Sequence, residues 1–416
     1  MGKHFFKQTI RDVDVEQETV LVRVDYNVPM NDDGTIADDL RIRASLPTIR
    51  YLLESQCRLV LISHMGRPEG RDASLSLAPV AARLAELLGQ SVKFIDDCVG
   101  DKVRQTVRHS PCGSVILLEN LRYYPEEEAD DMNFAKSIVK STGAAFFVQD
   151  GFGAAHRAHA STHAITMCLP SFAGLLLEKE YTMITRSMDQ PSRPLVAVIG
   201  GAKISDKIDL IRRLIDRADK VLIGGAMANT FLQFKGYNVG KSVWEPGQEE
   251  VLRDIYAKAS GKVGEGSVDD FIVLPSDVAV GANTSDKDQP RREVSVDRIA
   301  EDEMALDIGS ESIERFSSII KQAGTVIWNG PVGYSTIESF SFGSARTALA
   351  IASNQSAVSI VGGGDTADFV LKWDGGDGES FTHVSTGGGA SMELMSGQKL
   401  PGVESLLDAY GPGVLH

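Results

Sequence analysis

Cysteine is scarce in this chain, and long apolar runs are missing. The 416 residues include four cysteines, with no Cys-x-x-Cys pair and no Cys/His spacing typical of a metal site. We therefore expect free thiols in a reducing, cytoplasmic compartment. No stretch is long and apolar enough to span a membrane, and the first residues lack the apolar core of a secretory signal. The sequence thus predicts no membrane association.

Positive charge is also in deficit. Lysine and arginine total 42 against 57 acidic residues, which gives a net charge of −15. A chain this acidic is poorly suited to general binding of nucleic acids or anionic membranes. If it binds a small anion, it needs a local basic cluster.

The standard nucleotide motifs are absent. No G-x-G-x-x-G occurs, which argues against a dinucleotide-dependent enzyme. Residues 236–242 resemble a Walker loop, but they place three residues between the glycines where four are required, and they follow a predicted helix. We interpret this segment as unrelated to phosphate binding.

What the chain does contain is a repeated strand–turn–helix pattern. Near-continuous Val/Ile/Leu runs, each followed by a turn and an amphipathic stretch, indicate parallel strands buried on both faces. The predicted strands are residues 20–24, 59–62, 114–118, 145–148, 195–199, 220–223, 271–274, 325–328 and 357–361. This alternation predicts an α/β fold with two doubly wound, Rossmann-like parallel sheets.

A domain boundary is predicted near residues 175–194. A helical stretch at 175–188 is followed by Pro191 and Pro194, which cannot continue a helix. We expect an N-terminal domain at residues 1–172, a hinge helix at 173–191 and a C-terminal domain at 192–402. A chain of this length suits two cores better than one.

In the first half, basic side chains follow several predicted strands. Asp25 and Asn27 follow the first strand, and Arg41 and Arg43 are predicted to lie in a loop before the next helix. His64, Arg67, Arg122 and Arg157 follow the next three strands. Any one arginine could be an ordinary surface charge, but ligands of parallel sheets bind at these strand ends. Together they indicate a site for a small ligand with carboxylate and phosphate groups. His156 and His159 are expected to be structural.

In the second half, five glycine clusters follow apolar runs. They lie at residues 200–203, 224–227, 329–333, 362–365 and 386–391. Glycine lets the backbone approach a ligand closely, and the following helix N-terminus attracts anions. Five such loops in one domain indicate a nucleotide-sized ligand.

Two charged features accompany these loops. Lys203 and Lys207 are four residues apart, so they either flank a polyphosphate or are two solvated lysines. Asp365 follows three glycines, as a helix N-cap, a Mg²⁺ ligand or both would.

Taken together, these motifs resemble the phosphoglycerate kinase family. The resemblance covers nearly the whole chain, in the family's order and at similar spacings. The matching segments are residues 23–29, 63–68, 152–159, 200–203, 328–333, 362–366 and 385–391. It implies reversible transfer of a phosphoryl group from 1,3-bisphosphoglycerate to ADP, giving 3-phosphoglycerate and ATP, with Mg²⁺ and closure about a hinge.

The resemblance also implies roles for individual residues. The phosphoglycerate site would comprise Asp25, Asn27, Arg41, His64, Arg67, Arg122 and Arg157. The ADP/ATP site would comprise Gly201, Ala202, Lys203, Lys207, Gly225, Asn329, Pro331, Gly333, Thr336, Gly363, Gly364, Asp365 and Thr366. Arg41 and Lys203 would be catalytic, and Asp365 would hold Mg²⁺. The tail, residues 403–416, would return to the N-terminal domain, and we expect a monomer.

One position departs from the family pattern. Phosphoglycerate kinases usually carry an acidic residue, which contacts the nucleotide ribose, three positions after the last glycine of the Trp-Asn-Gly-Pro motif. Thr336 occupies that place here, and Glu338 comes two residues later. We therefore expect altered nucleotide affinity or selectivity.

Three other functions are compatible with parts of the pattern. A nucleotide-dependent ligase or dehydrogenase could use a similar frame, although the dinucleotide motif is missing. A two-domain protein that binds small anions would leave the five glycine loops unexplained. A catalytically inactive relative of the kinases would retain the fold with altered site residues.

Overall fold

The computed structural model describes residues 5–376 and 378–409. These residues form two compact units. One contains the described residues up to Thr182 together with those from Lys399 onward, and the other is Met183–Gln398. Within the described residues, no helix is long and apolar enough to cross a membrane.

The first unit is built on a six-stranded parallel sheet. The order across the sheet is β3-β4-β2-β1-β5-β6. Its strands are β1 (Thr19–Arg23), β2 (Arg58–Ile62), β3 (Val92–Ile95), β4 (Val115–Leu118), β5 (Phe146–Gln149) and β6 (Ser171–Ala173). The central strand β1 is buried along its whole length, because helices cover both faces of the sheet.

In the described N-terminal part of the chain, six helices belong to or begin in this unit. They are α1 (Leu40–Glu54), α2 (Ala78–Leu88), α3 (Asp101–His109), α4 (Pro125–Glu128), α5 (Met132–Thr142) and α6 (Leu175–Asp189). Helix α5 shows how local sequence sets the ends. Asp131 accepts a hydrogen bond from the Phe134 N–H at 2.7 Å, and Gly143 ends the helix in the left-handed conformation. The boundary between the two units falls within α6.

The second unit contains a six-stranded parallel sheet and a smaller antiparallel one. The orders are β15-β14-β13-β7-β8-β9 and β11-β10-β12. The strands are β7 (Leu195–Ile199), β8 (Lys220–Ile223), β9 (Ile272–Val273), β10 (Asp277–Gly281), β11 (Arg292–Ser295), β12 (Met304–Ile308), β13 (Thr325–Asn329), β14 (Val358–Gly362) and β15 (His383–Val384). The sequence did not predict the antiparallel sheet. The predicted strand at 271–274 is shorter than expected, because Phe271 ends a helix.

Among its described residues, eight helices complete the second unit. They are α7 (Ile208–Arg217), α8 (Gly225–Phe234), α9 (Glu249–Val263), α10 (Val268–Phe271), α11 (Ser310–Lys321), α12 (Phe342–Ser353), α13 (Gly364–Trp373) and α14 (Gly389–Ser396). Helix α7 buries Leu210, Ile211, Leu214 and Ile215. This spacing of three to four residues places its apolar face on the sheet.

The C-terminal segment packs within the first unit. It contains the last helix, α15 (Pro401–Glu404). Lys7 Nζ donates hydrogen bonds to the carbonyl oxygens of Glu404 (2.7 Å) and Leu406 (2.9 Å). Lys7 and Asp408 also form an isolated antiparallel bridge. The described residues from Lys399 to residue 409 therefore belong to this unit, and residues 410–416 of the predicted tail lie outside the described part of the chain.

Candidate functional site

The carboxyl end of β1 carries two of the predicted polar residues. Asp25 is buried, and its Oδ2 lies 3.2 Å from Arg41 Nη1. The same nitrogen donates to the Asn27 carbonyl oxygen at 2.8 Å. Arg41 and Arg43 do not lie in a loop, as the sequence suggested, because α1 already begins at Leu40. Arg41 therefore projects from the first helical turn and is oriented by Asp25.

The turn after β2 is fixed by amide side chains. Asn27 Oδ1 accepts from the Gly66 N–H at 2.8 Å. Asn120, at the end of β4, accepts from the Met65 N–H (3.1 Å) and donates to the Met65 carbonyl (2.7 Å). Arg122 Nη1 donates to the Gly66 carbonyl at 2.6 Å. Three strand ends are thereby tied together around one short turn. Asn120 was not predicted, although its place beside Arg122 at a strand end is the signal that marks it.

Beneath this turn lies a buried ionic network. Arg23 is fully buried, and its Nε donates to Ser161 Oγ at 2.8 Å. Ser161 in turn donates from Oγ to Glu127 Oε1 at 2.5 Å and from its N–H to Glu127 Oε2 at 3.0 Å. Arg23 Nη2 lies 3.0 Å from His64 Nδ1. The network therefore places a buried cation directly behind His64.

The outer part of the cluster is more accessible. Arg67 is exposed and, among the described residues, makes no hydrogen bond or ion pair. Arg157 Nε contacts His156 Nε2 at 3.2 Å. Burial lowers the pKa of Arg122, and the charges of Arg157 and Arg23 lower it further against the pull of Glu128. Excess positive charge of this kind favours a bound anion.

In the second unit, the predicted nucleotide residues surround two adjoining cavities of about 650 Å³ and about 300 Å³. Both volumes are within the range of small-molecule sites. Gly201, Ala202 and Asp365 line both cavities. Gly225, Pro331, Gly333 and Thr336 line the larger one. The smaller one is lined by Lys203, Lys207, Asn329, Gly363, Gly364 and Thr366. The structure thus brings together all the residues predicted for this site.

The glycine loops contact one another directly. The Gly201 N–H donates to the Pro331 carbonyl (2.9 Å), and the Gly225 N–H donates to the Val332 carbonyl (2.8 Å). Gly225 has a φ of +64°, and a Cβ there would lie 2.8 Å from the Gly201 nitrogen. Only glycine permits both the backbone conformation and this close approach. Thr366 Oγ1 accepts from the Gly330 N–H at 2.6 Å, so it ties its own loop to the neighbouring one.

The two lysines differ in their surroundings. Helix α7 starts at Ile208, after both lysines, and is preceded by a single 3₁₀ turn at Ser205–Lys207. Lys203 is exposed. Lys207 Nζ donates to the carbonyl oxygens of Gly200 (2.9 Å) and Asn329 (3.1 Å). Burial lowers the pKa of Lys207 to about 8, although Asp365 and Asp206 oppose the shift. Lys207 therefore supports the loops from within, whereas Lys203 is free to reach a ligand.

Asp365 is not a helix N-cap, as one interpretation of the sequence had it. Gly363 occupies the cap position of α13, and no side chain caps the helix. Asp365 lies in the first turn and is exposed at the edge shared by both cavities. Within the part of the chain that the structure describes, no three His, Cys, Asp or Glu side chains group into a metal site. A single carboxylate beside a phosphate cavity still fits Mg²⁺, which takes most of its ligands from phosphate and water.

The larger cavity also has lining residues that the sequence reasoning missed. Asp368, Phe369 and Lys372 belong to α13, at helical spacings of three, four and seven residues from Asp365. That spacing puts them on the same face of the helix as Asp365, so they could have been identified from the sequence. Thr284 also lines this cavity. It follows β10 of the unpredicted antiparallel sheet, so no sequence signal pointed to it.

Comparisons with known proteins agree on one family. The family model described as phosphoglycerate kinase matches residues 10–398. A phosphoglycerate kinase of Pelotomaculum thermopropionicum is 46% identical over 403 residues, covering 97% of this chain and 99% of that protein. The Aquifex aeolicus phosphoglycerate kinase is 45% identical, covering 97% and 98%. Among solved structures, the Coxiella burnetii phosphoglycerate kinase superposes with a TM-score of 0.82 at 35% identity, covering 96% of this chain and 98% of that one.

Proposed function

The chain belongs to the phosphoglycerate kinase family, and from this premise we propose that its arginine cluster binds phosphoglycerate and its glycine-lined cavities bind ADP or ATP. The protein is a glycolytic phosphotransferase that moves a phosphoryl group between 1,3-bisphosphoglycerate and ADP. The observation that carries the site proposal is the pair of adjoining cavities that share Gly201, Ala202 and Asp365. An extended polyphosphate nucleotide needs such a continuous, glycine-lined path.

The chemistry of this reaction needs positioning more than proton transfer. An acyl phosphate is already activated, since its carboxylate leaves readily, so no general base is required. The charge on the transferring group must be neutralised while donor and acceptor oxygens stay in line. We assign this role to Arg41 and Lys203. Arg41 is oriented by Asp25, and Lys203 is exposed beside the smaller cavity.

Mg²⁺ would be held by Asp365 together with nucleotide phosphates, where it would neutralise phosphate charge. Gly363 and Gly364, where α13 begins, also line the smaller cavity, so the N-terminus of this helix would favour bound phosphate there. Lys207 contributes mainly by tying the Gly200 and Asn329 carbonyls together. In this assignment Lys207 maintains the conformation of the glycine loops that would bind phosphate.

For the domain division, the hinge closure, the oligomeric state and the compartment, we propose what the sequence predicts. The proposed division is a phosphoglycerate domain at residues 1–172, a hinge helix at 173–191, a nucleotide domain predicted at 192–402 and a returning tail predicted at 403–416. Because the first compact unit resumes at Lys399, we propose that the tail begins there and not at residue 403. Transfer requires the two ligands to meet without water, which is why closure about a hinge is part of this proposal. A cytoplasmic monomer is proposed as well. All four cysteines are unpaired, as expected in a reducing compartment.

Two calorimetric titrations test the site assignments separately. Arg122→Ala should weaken 3-phosphoglycerate binding by about tenfold or more, since it removes one charge-assisted contact, and should leave Mg-ADP binding unchanged. Gly225→Val should do the reverse, because a side chain there would collide with the Gly201 backbone. Loss of both ligands in both variants, with folding intact, would contradict separate sites. A dehydrogenase would instead bind NAD, and an anion-binding protein would bind no nucleotide.

A further inference from the structure

Arg23 is the most completely buried cation of the phosphoglycerate cluster, and the proposed reaction gives it no role. Its side chain is 1% exposed, so it does not reach a ligand directly. Besides its bond to Ser161, Nη1 donates to the Val24 carbonyl at 2.5 Å. Its remaining short contact joins Nη2 to His64 Nδ1 at 3.0 Å. Three bonds in different directions fix the guanidinium plane against the His64 ring.

This contact determines where His64 carries its proton. A guanidinium has only N–H donors and no acceptor. The hydrogen between Nη2 and Nδ1 therefore belongs to Arg23, and Nδ1 accepts it through its lone pair. A neutral imidazole with Nδ1 unprotonated carries its proton on Nε2. Among the described residues, Nε2 of His64 has no hydrogen-bond partner, so its N–H is available to a ligand.

The charges around His64 keep it neutral. Burial lowers its pKa well below the ordinary value, and four basic groups lower it further. These groups are Arg23 at the end of β1, Arg41 on α1, Arg122 after β4, and His159. A second proton would have to sit on Nδ1, facing an Arg23 N–H at hydrogen-bond distance. Protonation would thus replace an attraction with a repulsion.

The nearby carboxylates compensate the positive charge of Arg23 more than they affect His64. Glu127 and Asp25 are the acidic groups that raise the pKa of Arg23 against the effect of burial. Glu127 Oε1 lies 4.0 Å from Arg23 Nη2 and 3.8 Å from His159 Nδ1. Its oxygens are occupied by Ser161. Glu127 can therefore be neutralised without breaking the Arg23–His64 contact, which provides a control.

We propose that Arg23 is a positioning residue that holds His64 as the neutral tautomer with its proton on Nε2, so that His64 donates a hydrogen bond to an anionic oxygen of the bound acid. The identity of that acid as phosphoglycerate rests on the proposed function, whereas the tautomer does not. His64 then acts as a fixed donor among arginines. It neither takes up nor releases a proton during phosphoryl transfer.

Nitrogen-15 NMR of the ligand-free, histidine-labelled enzyme tests the tautomer directly. The His64 signals, identified by their loss in His64→Gln, should show a protonated Nε2 and an unprotonated Nδ1. They should not titrate between about pH 5 and 8, where ordinary histidines do. A proton on Nδ1, or titration within that range, would overturn the proposal. This experiment needs no Arg23 variant, so a folding defect cannot obscure it.

A variant pair tests what Arg23 does for binding. Arg23→Met combined with Glu127→Gln removes the buried charges together, and Glu127→Gln alone is the matched control. In the double variant, Nδ1 loses its donor, so His64 should populate both tautomers. Its pKa should rise relative to wild type but stay below the ordinary value, because burial, Arg122 and Arg41 still lower it. Its affinity for 3-phosphoglycerate should fall about tenfold at alkaline pH and partly recover below about pH 6. Glu127→Gln should keep the wild-type spectrum.

The outcomes separate the two claims. If the wild type shows the predicted tautomer but binds no 3-phosphoglycerate, the proposed function of the site fails and the role of Arg23 stands. If it binds the acid normally but His64 carries its proton on Nδ1, the role of Arg23 fails. A merely structural Arg23 would lower affinity equally at every pH in the double variant.

Discussion

Individual residues of the two proposed sites divide into those whose charged groups remain available to a ligand and those that hold other groups in place. Arg41 is held by Asp25 and the Asn27 carbonyl, and Lys203 is exposed beside the smaller cavity. The polar atoms of Lys207 and Thr366, by contrast, form hydrogen bonds to neighbouring loops. The sequence placed all four residues at a site, because strand ends and glycine loops mark where sites occur. It could not separate the two roles, since these depend on which polar atoms tertiary contacts have already engaged.

Substitution of either proposed catalytic residue tests the ligand-facing class. Lys203→Ala and Arg41→Ala should each lower kcat by about 10²-fold or more while weakening ligand binding much less, because their charge matters most in the transition state. Arg43→Ala is the matched control. Arg43 lies in the same helical turn as Arg41 but pairs with Asp39 at 2.7 Å. Arg43→Ala should keep kcat near the wild-type value. If kcat of Lys203→Ala or Arg41→Ala also stays within a few-fold of wild type, the role assigned to that residue is wrong.

Thr336 gives a second prediction at this scale. It lines the larger cavity, whereas Glu338 opens a 3₁₀ turn and lines neither cavity. A threonine hydroxyl forms a weaker bond to a ribose hydroxyl than a carboxylate does. We expect Thr336→Glu to change KM for ADP, GDP and inosine diphosphate by several-fold, measured as phosphoryl acceptors side by side. Identical acceptor profiles in the two proteins would show that this position does not set nucleotide recognition.

At the scale of elements, the parallel strands were predictable and the antiparallel sheet was not. Strand β7 is an unbroken apolar run that is buried throughout, and it was predicted with its observed bounds. Strand β11 is four residues of mostly exposed polar chain, whose pairing with β10 depends on contacts distant in sequence. Apolar periodicity identifies strands that are buried, so an exposed edge strand gives little signal.

The N-terminus of α6 offers a test at the element scale. Asp150 Oδ1 accepts from Thr48 Oγ1 (2.8 Å) and from the Leu176 N–H (3.0 Å), while its Oδ2 is buried without a partner among the described residues. Burial raises the pKa of Asp150 to about 7. The folded protein therefore binds an extra proton between the unfolded and folded pKa values. The stability that Asp150 contributes is fully present below the unfolded value and is lost as pH rises through about 7.

Asp150→Asn keeps the accepting oxygen and removes the charge. Relative to wild type, its free energy of unfolding should be about 2 kcal/mol more favourable at about pH 8 than at about pH 5. Asp150→Ala, which leaves the Thr48 hydroxyl hydrogen and the Leu176 N–H without an acceptor, should be destabilised by about 1–3 kcal/mol at both pH values. Chemical denaturation of the three proteins provides the comparison. A pH-independent difference between wild type and Asp150→Asn would contradict the raised pKa.

At the scale of the whole molecule, the overall charge and composition determine the surroundings of the two sites. The net charge is −15, yet the proposed phosphoglycerate site gathers Arg23, Arg41, Arg122 and Arg157 within one unit. The overall sequence pattern was sufficient for the fold and the family, because both depend on many residues at once. The buried network of Arg23, Glu127 and Ser161 could not be predicted, since Ser161 and Glu127 are 34 residues apart and meet only in the folded chain.

The most direct test of the central claim is a steady-state assay of ATP formation from 1,3-bisphosphoglycerate and ADP, with Mg²⁺ present and then removed by chelation. We predict rapid ATP formation with Mg²⁺, its loss on chelation, and the reverse reaction from 3-phosphoglycerate and ATP under the same conditions. A folded enzyme that binds both ligands but transfers no phosphoryl group in either direction would contradict the account.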